Sequence, residues 1–290
     1  MLFPKDSIDY QLIDCGNFRK LERFGKIIVD RPEIEASWKP NLPKKEWEKA
    51  DWHFFEQKGK TGIWSNKTNA PNSWKISYKT DKGSYNFQLK ITAFKHVGIF
   101  PEQAVNWEFI EENLNLISGE KKVLNLFAYT GAASVVAAKS NATVTNVDSV
   151  KQVINWGKEN AELNKVDTIR WIQEDALKFV DRALRRGEKF QGIIMDPPAY
   201  GHGPKKEIWK LEKNLPELLN KVIQLVDPKN HFLILNTYSS KLNSEEFQNI
   251  LKNTESFPKE YTNEVLGLSS ANQQNLPLGN LVRFSKLKYS

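Results

Sequence analysis

The chain has 290 residues, enough for a large core and about two domains. It carries 42 Lys and Arg against 35 Asp and Glu, a net charge of +7 that favours a polyanionic partner. No run of about 18 apolar residues occurs, so no membrane-spanning helix is expected, and the single cysteine, Cys15, excludes an intramolecular disulfide or a cysteine-based metal cluster. No metal site is expected. The first residues, Met1-Leu2-Phe3-Pro4-Lys5-Asp6, lack an apolar signal region, and a cytoplasmic location is the expectation.

Residues 1–106 read as a small, mainly β domain. Short β-prone pieces alternate with turn signals, as in Lys26-Ile27-Ile28-Val29-Asp30 and Trp74-Lys75-Ile76-Ser77-Tyr78. Residues 85–91 alternate with period two, and Asp81-Lys82-Gly83-Ser84 reads as the hairpin turn before them. Five of the nine tryptophans fall here (Trp38, Trp47, Trp52, Trp64 and Trp74), and core packing is the plain reading of each. Residues 57–95 hold eight lysines (Lys58, Lys60, Lys67, Lys75, Lys79, Lys82, Lys90 and Lys95) and one acid, Asp81, a net +7 equal to that of the whole chain. Interleaved with them stand Trp64, Trp74, Tyr78 and Tyr85, a pattern that suits unpaired nucleotides. A solvated face whose lysines blunt exposed strand edges is the plainer alternative. Strand alternation puts Lys75 and Ser77 opposite Trp74, Ile76 and Tyr78, so some of these aromatics belong to the core.

From residue 107 the pattern changes. Phe109, Ile110, Leu114 and Ile117 line one side of a helix. Then Val123-Leu124-Asn125-Leu126-Phe127-Ala128-Tyr129-Thr130-Gly131 runs from an apolar strand through a small turn into a helix at Ala132. Further strands are expected at 143–148, 169–172, 191–195 and 232–235, with helices at 150–161, 176–186 and 245–251 and a helix at 208–226 interrupted near Pro216. Strand-like pieces at 261–266 and 281–284 end the chain. This alternation predicts an α/β, doubly wound, mainly parallel sheet with its ligand beyond the carboxyl ends of the strands. The first turn holds one glycine, where a dinucleotide fingerprint has three that admit a pyrophosphate. A ligand with ribose and adenine but no phosphate does not need the other two, and S-adenosylmethionine (SAM) is such a ligand.

Acidic residues stand at three successive strand ends: Asp148, Asp175 and Asp196. Asp148 lies seventeen positions beyond Gly131, near the spacing of a carboxylate that bonds ribose hydroxyls. Asp175 is placed to accept from an adenine amino group. A helix cap is the alternative for each. The sharpest motif is Asp196-Pro197-Pro198-Ala199-Tyr200. Its prolines fix the backbone and remove two N–H donors, which leaves carbonyls to accept bonds beside a carboxylate, with Tyr200 ready to stack on a planar base. Gly201-His202-Gly203-Pro204-Lys205-Lys206 then reads as a flexible, basic loop. A turn that merely ends a strand is the bland alternative.

Together, the Asn-Leu-Phe-Ala-Tyr-Thr-Gly turn at 125–131, Asp148, Glu174-Asp175-Ala176 and Asp196-Pro197-Pro198 resemble class I SAM-dependent methyltransferases. Within that class the chain resembles the large-subunit rRNA methyltransferase group, and Gly98-Ile99-Phe100-Pro101-Glu102-Gln103 resembles a segment just upstream of that group's core. The resemblance covers roughly residues 93–240. It implies a seven-stranded Rossmann-like methyltransferase sheet over 107–290, with the two terminal strands antiparallel at one edge. It implies SAM contacts from Phe100, Asn125, Phe127, Tyr129, Thr130, Gly131, Asp148, Asp175 and Ala176. The target base falls to Asp196, Pro197, Pro198 and Tyr200, and the partner is RNA, ribosomal RNA first.

Two departures qualify it. Members that methylate cytosine C5 carry a cysteine after the fifth strand, where this chain reads Asn236-Thr237-Tyr238-Ser239-Ser240, so a base nitrogen is the expected target. Residues 1–92 do not match the RNA-binding module of many relatives. A methyltransferase for a protein or small molecule, and a non-catalytic RNA-binding protein with a degenerate cofactor fold, stay open as alternatives. A nicotinamide oxidoreductase is disfavoured by the single glycine.

Overall fold

The computed structural model describes residues 1–5, 8–57, 61–238 and 244–287. Lys58, Lys60, Ser239 and Ser240 lie outside the described residues. The chain divides into two compact units, Met1–Val105 with Leu266–Leu278, and Asn106–Val265 with Gly279–Ser290.

The first unit is mainly β. Its strands are β1 (Tyr10–Gly16), β2 (Arg19–Phe24) and β3 (Ile27–Pro32), then, after the short helix α1 (Lys44–Trp47), β4 (Trp52–Glu56) and β5 (Gly62–Asn66). They form a five-stranded sheet in that order, antiparallel except for the β3–β4 pair. Strands β6 (Ser73–Thr80) and β7 (Gly83–Lys90) pair as a separate hairpin. Thr80 pairs with Gly83, so the turn is Asp81-Lys82, one residue earlier than the sequence pattern suggests. Period-two alternation holds: Ile76, Tyr78, Tyr85, Phe87 and Leu89 are buried, while Lys75 and Lys79 are exposed. Tyr78 and Tyr85 stack on each other in the core, so they are not available to bases. Trp47 and Trp52 are also buried. An ion pair sits inside this unit, with Arg31 Nη2 donating to Glu22 Oε1 at 2.9 Å. Burial alone would raise the Glu22 carboxyl; Arg31, Lys20 and the Tyr10 hydroxyl outweigh it and hold it below the usual carboxylate range.

A 3-10 turn (Pro101–Gln103) leads into α2 (Ala104–Leu116). The chain then alternates β8 (Lys122–Leu126), α3 (Ala132–Lys139), β9 (Thr143–Asp148), α4 (Lys151–Leu163), β10 (Ile169–Gln173), α5 (Ala176–Arg185) and β11 (Gly192–Met195). Two short strands follow, β12 (Tyr200–His202) and β13 (Ile208–Lys210), then α6 (Leu211–Ile223), β14 (His231–Thr237), α7 (Ser244–Asn253), β15 (Thr262–Ser269) and β16 (Asn275–Lys286). The seven-stranded sheet has the order β10-β9-β8-β11-β14-β16-β15. Its first five strands are parallel and β16 is antiparallel to β14. The turn from Ser270 to Gln274 joins β15 to its neighbour β16, a connection short enough only for an antiparallel pair.

Side chains alternate across this sheet and separate two layers of helices. Leu124, Leu126, Ile193, Met195, Leu233 and Leu235 pack in one cluster with buried residues of α5, α6 and α7. On the other face Asn125 bonds Ser134 of α3, and Phe232 meets Phe109 of α2 edge-on. Strand order reverses between β8 and β11, and such a switch point opens a crevice at the carboxyl edge.

Two expectations needed correction. Residues 208–210 are a strand, and the helix begins at Leu211. That helix also runs unbroken through Pro216, where an interruption was expected. A proline inside a helix costs about 3 kcal/mol. Against this, α6 buries Leu211, Leu215, Leu218, Leu219 and Val222, each contributing about 1.5–3 kcal/mol.

Candidate functional site

The site grows from the turn after β8. Phe127 (φ 56°), Tyr129 (φ 50°) and Gly131 (φ 73°) all adopt left-handed backbone. For Phe and Tyr this conformation costs about 1–3 kcal/mol each and persists only where surroundings enforce it. Here they do: Ala128 N–H donates to Val147 O at 3.2 Å, Tyr129 N–H to Asp148 Oδ2 at 2.9 Å, and Gly131 N–H to Ala128 O at 2.9 Å. At Gly131 a Cβ would also stand 2.9 Å from the Trp171 ring, so no other residue fits without displacing it.

Asp148 ends β9. One carboxylate oxygen accepts from Tyr129 N and the other from Val150 N, each at 2.9 Å. Burial pushes its carboxyl above the usual range, against the pull of those backbone bonds. A carboxylate has about four acceptor positions, so lone pairs remain for hydroxyl donors. Asp175 caps α5, accepting from Lys178 N at 3.0 Å through Oδ1. The cap and the cleft are compatible roles, because Asp175 also lines the cavity.

That cavity is an open cleft. One wall is the sheet edge, with Phe127, Asp148, Asp175 and Ala176; the other is the β12–β13 hairpin, with Pro198, His202 and Trp209. Of the segment expected to be a loop, Gly201 and His202 are strand, and residues 203–206 form the turn of this flap. Trp209 anchors it: the ring is buried, lies 4.8 Å from that of Phe127, and donates from Nε1 to Pro198 O at 2.7 Å. The Pro198 carbonyl is therefore engaged within the protein, contrary to the expectation that it is left to a substrate. At the flap's tip Glu207 pairs with Lys178 of α5, which holds the Glu207 carboxyl down at about 2.

Asp196 and Pro197 follow β11. Asp196 Oδ1 accepts from Asn236 Nδ2 at 3.1 Å. Tyr200 is 46% exposed, with its hydroxyl 3.2 Å from His202 Nε2. Of the expected cofactor contacts in this unit, Asn125, Tyr129, Thr130 and Gly131 are not among the residues that line the cleft. Asn125 is buried beneath α3, where it donates to Ser134 Oγ at 2.9 Å and Ser134 donates on to Asn146 Oδ1 at 2.7 Å. It faces that helix because strand alternation turns it away from the cleft. Thr130 is also buried, its carbonyl accepting from Asn160 Nδ2 at 3.0 Å. Phe100 belongs to the first unit, at the cap of the 3-10 turn.

Sequence reasoning passed over Trp209, His202 and Asn236 as site residues. Trp209 sat in a stretch read as helix, and His202 in one read as loop. Asn236 carried a signal that went unused, a polar residue at the carboxyl end of an apolar strand. Among the described residues no group of three or more His, Cys, Asp and Glu could hold a metal, and no helix is long and apolar enough to cross a membrane.

The donor and acceptor set fits an adenosine-bearing ligand: carboxylates for ribose hydroxyls and an amino group, with flat apolar walls from Phe127, Ala176, Pro198 and Trp209 for a ring. Comparison with known proteins agrees. The pattern of the S-adenosylmethionine-dependent methyltransferase family matches residues 66–266. The crystal structure of the SAM-dependent methyltransferase from Agrobacterium tumefaciens is 34% identical, with a TM-score of 0.89 over 98% of this chain and 93% of that one. The ribosomal RNA large subunit methyltransferase K/L of Shewanella frigidimarina is 31% identical over 166 residues, 56% of this chain and 22% of that protein. The protein of the same name from Shewanella loihica is 29% identical over 211 residues, 70% of this chain and 26% of that protein. The chain thus spans roughly a quarter of the length of these curated relatives. With its turn, its acidic strand ends and its flap in place, the chain belongs to the SAM-dependent methyltransferase family and takes SAM as its methyl donor.

Proposed function

We propose that this enzyme methylates a nitrogen of an RNA base, with ribosomal RNA as the first candidate. The observation that carries this reading is the end of β11: a carboxylate, Asp196, tied to Asn236, then two prolines and the exposed ring of Tyr200. The names of the relatives support RNA as the substrate class.

SAM, when bound, supplies an electrophilic methyl carbon. Asp148 holds ribose hydroxyls and Asp175 an amino group, while the flap limits water. Tyr200 stacks on the target base, which leaves its own stack to reach the ring. Asp196 faces the positive charge that develops on the nitrogen as it attacks, and holding that nitrogen in line with the methyl group supplies much of the rate. Carbon C5 of a pyrimidine would need a thiolate to add first. The chain's one cysteine, Cys15, is buried in β1, and burial pushes its thiol up to about 11.

RNA docks in this reading through the outer face of the β6–β7 hairpin. Lys75, Lys79 and Lys82 are exposed there, with Ser77 bonded to Asn86 between them. With Tyr78 and Tyr85 in the core, this face offers charge without stacking, which suits contact with the RNA backbone. Lys95 does not join it, since its Nζ donates to Pro32 O at 3.3 Å inside the unit. The test is incubation with tritiated methyl-SAM, RNA from cells lacking the gene and a protein extract of the same cells. Label is expected in the RNA. Label confined to protein, or none in either pool, contradicts the proposal.

A further inference from the structure

Strands β11 and β14 run parallel with Met195 opposite Leu235, and beyond their ends Pro198 bridges Tyr238 in the same register. Asp196 and Asn236 are therefore neighbours across the sheet, with paired backbone before and after them. On β16 a Cβ at Gly279 would stand 2.7 Å from the Thr237 carbonyl, so that strand presses against the end of β14.

Asn236 is 1% exposed and donates from Nδ2 to Asp196 Oδ1 at 3.1 Å. Its other amide atom, Oδ1, is buried and has no hydrogen-bond partner among the described residues. An unpaired buried acceptor is costly to the fold, so keeping one calls for a reason. Asn236 directs its side-chain bond to Asp196 alone.

We propose that Asn236 is a positioning residue for methyl transfer: its amide N–H aims the Asp196 carboxylate and keeps it ionised. The inference rests on the role given to Asp196 above. In the reaction the lone pair of the acceptor nitrogen forms a bond to the methyl carbon as the carbon–sulfur bond breaks, its electron pair staying on sulfur. The nitrogen gains positive charge in that step. A carboxylate beside it stabilises that charge only while ionised, and a hydrogen bond donated to the ionised form favours it.

The test compares Asn236→Ala, Asn236→Ser and the isosteric Asn236→Asp, which replaces a donor with a second acid. The first readout needs no substrate: titration of the Asp196 carboxyl carbon by NMR in the free protein, assigned by its absence in Asp196→Asn. Its midpoint should move up in Asn236→Ala and further in Asn236→Asp. The second readout is label transfer to RNA from cells lacking the gene. There kcat should fall about tenfold or more in Asn236→Ala and further in Asn236→Asp, its acid limb moving to higher pH, while SAM affinity stays within about twofold. Asn236→Ser, which keeps a small donor, should lie between wild type and Asn236→Ala in both readouts. An unmoved midpoint with unchanged kcat in Asn236→Ala overturns the proposal, as does an Asn236→Asp that equals wild type. If Asp196→Asn is fully active, the reading beneath it falls as well. If Asp196→Asn is inactive while the Asn236 variants match wild type, only the role of Asn236 falls.

Discussion

In the proposed reading Asp148 does two jobs with one carboxylate. It accepts from Tyr129 N, within the left-handed turn, and from Val150 N, and it also lines the cleft. Hydrogen bonds to an ionised group contribute about 1.5–3 kcal/mol each. Asp148→Ala should therefore weaken SAM binding about tenfold to a hundredfold by calorimetry, and an unchanged affinity would remove Asp148 from the site. The pH dependence has a definite sign. Hydroxyl donors prefer the ionised carboxylate, and burial raises the pH at which it takes up a proton. SAM affinity should fall with falling pH and begin to do so above the ordinary aspartate value of about 3.9. Affinity that is flat down to that value contradicts the assignment. At this scale the acidic strand ends were legible, because a polar residue that closes an apolar run has few other reasons to be there. Asn125 shows the limit: its place near a strand end is plain in the sequence, but which face it takes depends on what covers that face. Asn236 was equally visible and was read only as the place where a cysteine is missing.

Helix α4 meets the sheet through Gly157, where a Cβ would lie 2.5 Å from the Trp171 ring. The same ring closes on Gly131 in the turn after β8, so it has little room to retreat. Alanine gains about 1 kcal/mol over glycine in a helix interior, while overpacking costs about 1–3 kcal/mol. Gly157→Ala should come out destabilising by about 1 kcal/mol, read by chemical denaturation, and a more stable variant would show that the ring yields. The strands and helices of this sheet were legible because long apolar runs and helical spacing persist over many residues. The flap was not. Strands of three residues joined by Gly203, Pro204, two lysines and Glu207 carry no period, and only pairing across the hairpin makes them strands. Pro216 misled for the opposite reason: a strong local signal was outweighed by the buried leucines of α6.

For the molecule as a whole, the proposed RNA-docking face and the proposed methyl-transfer residues belong to different units. Lysines cluster on the β6–β7 face of the first unit, while Asp148 ends a strand of the second and Asp175 and Asp196 follow strands there. If the lysines hold RNA backbone, removing one that neutralises a phosphate should reduce the salt slope of binding by roughly one unit. Reversing Lys75, Lys79 and Lys82 to Glu should weaken RNA binding and flatten that slope with SAM affinity unchanged. RNA binding that keeps its wild-type strength and salt dependence would place the docking surface elsewhere. The fold and the methyl donor were legible at this scale, since the single-glycine turn and the acidic strand ends point to one cofactor. The RNA partner was not, because a basic, solvated β face looks the same whether or not anything binds it. The most direct test of the central claim is nucleoside mass spectrometry of RNA from cells lacking the gene, after incubation with the enzyme and SAM. The account predicts a base methylated on nitrogen. Finding 5-methylcytosine, or no methylated nucleoside, would contradict it.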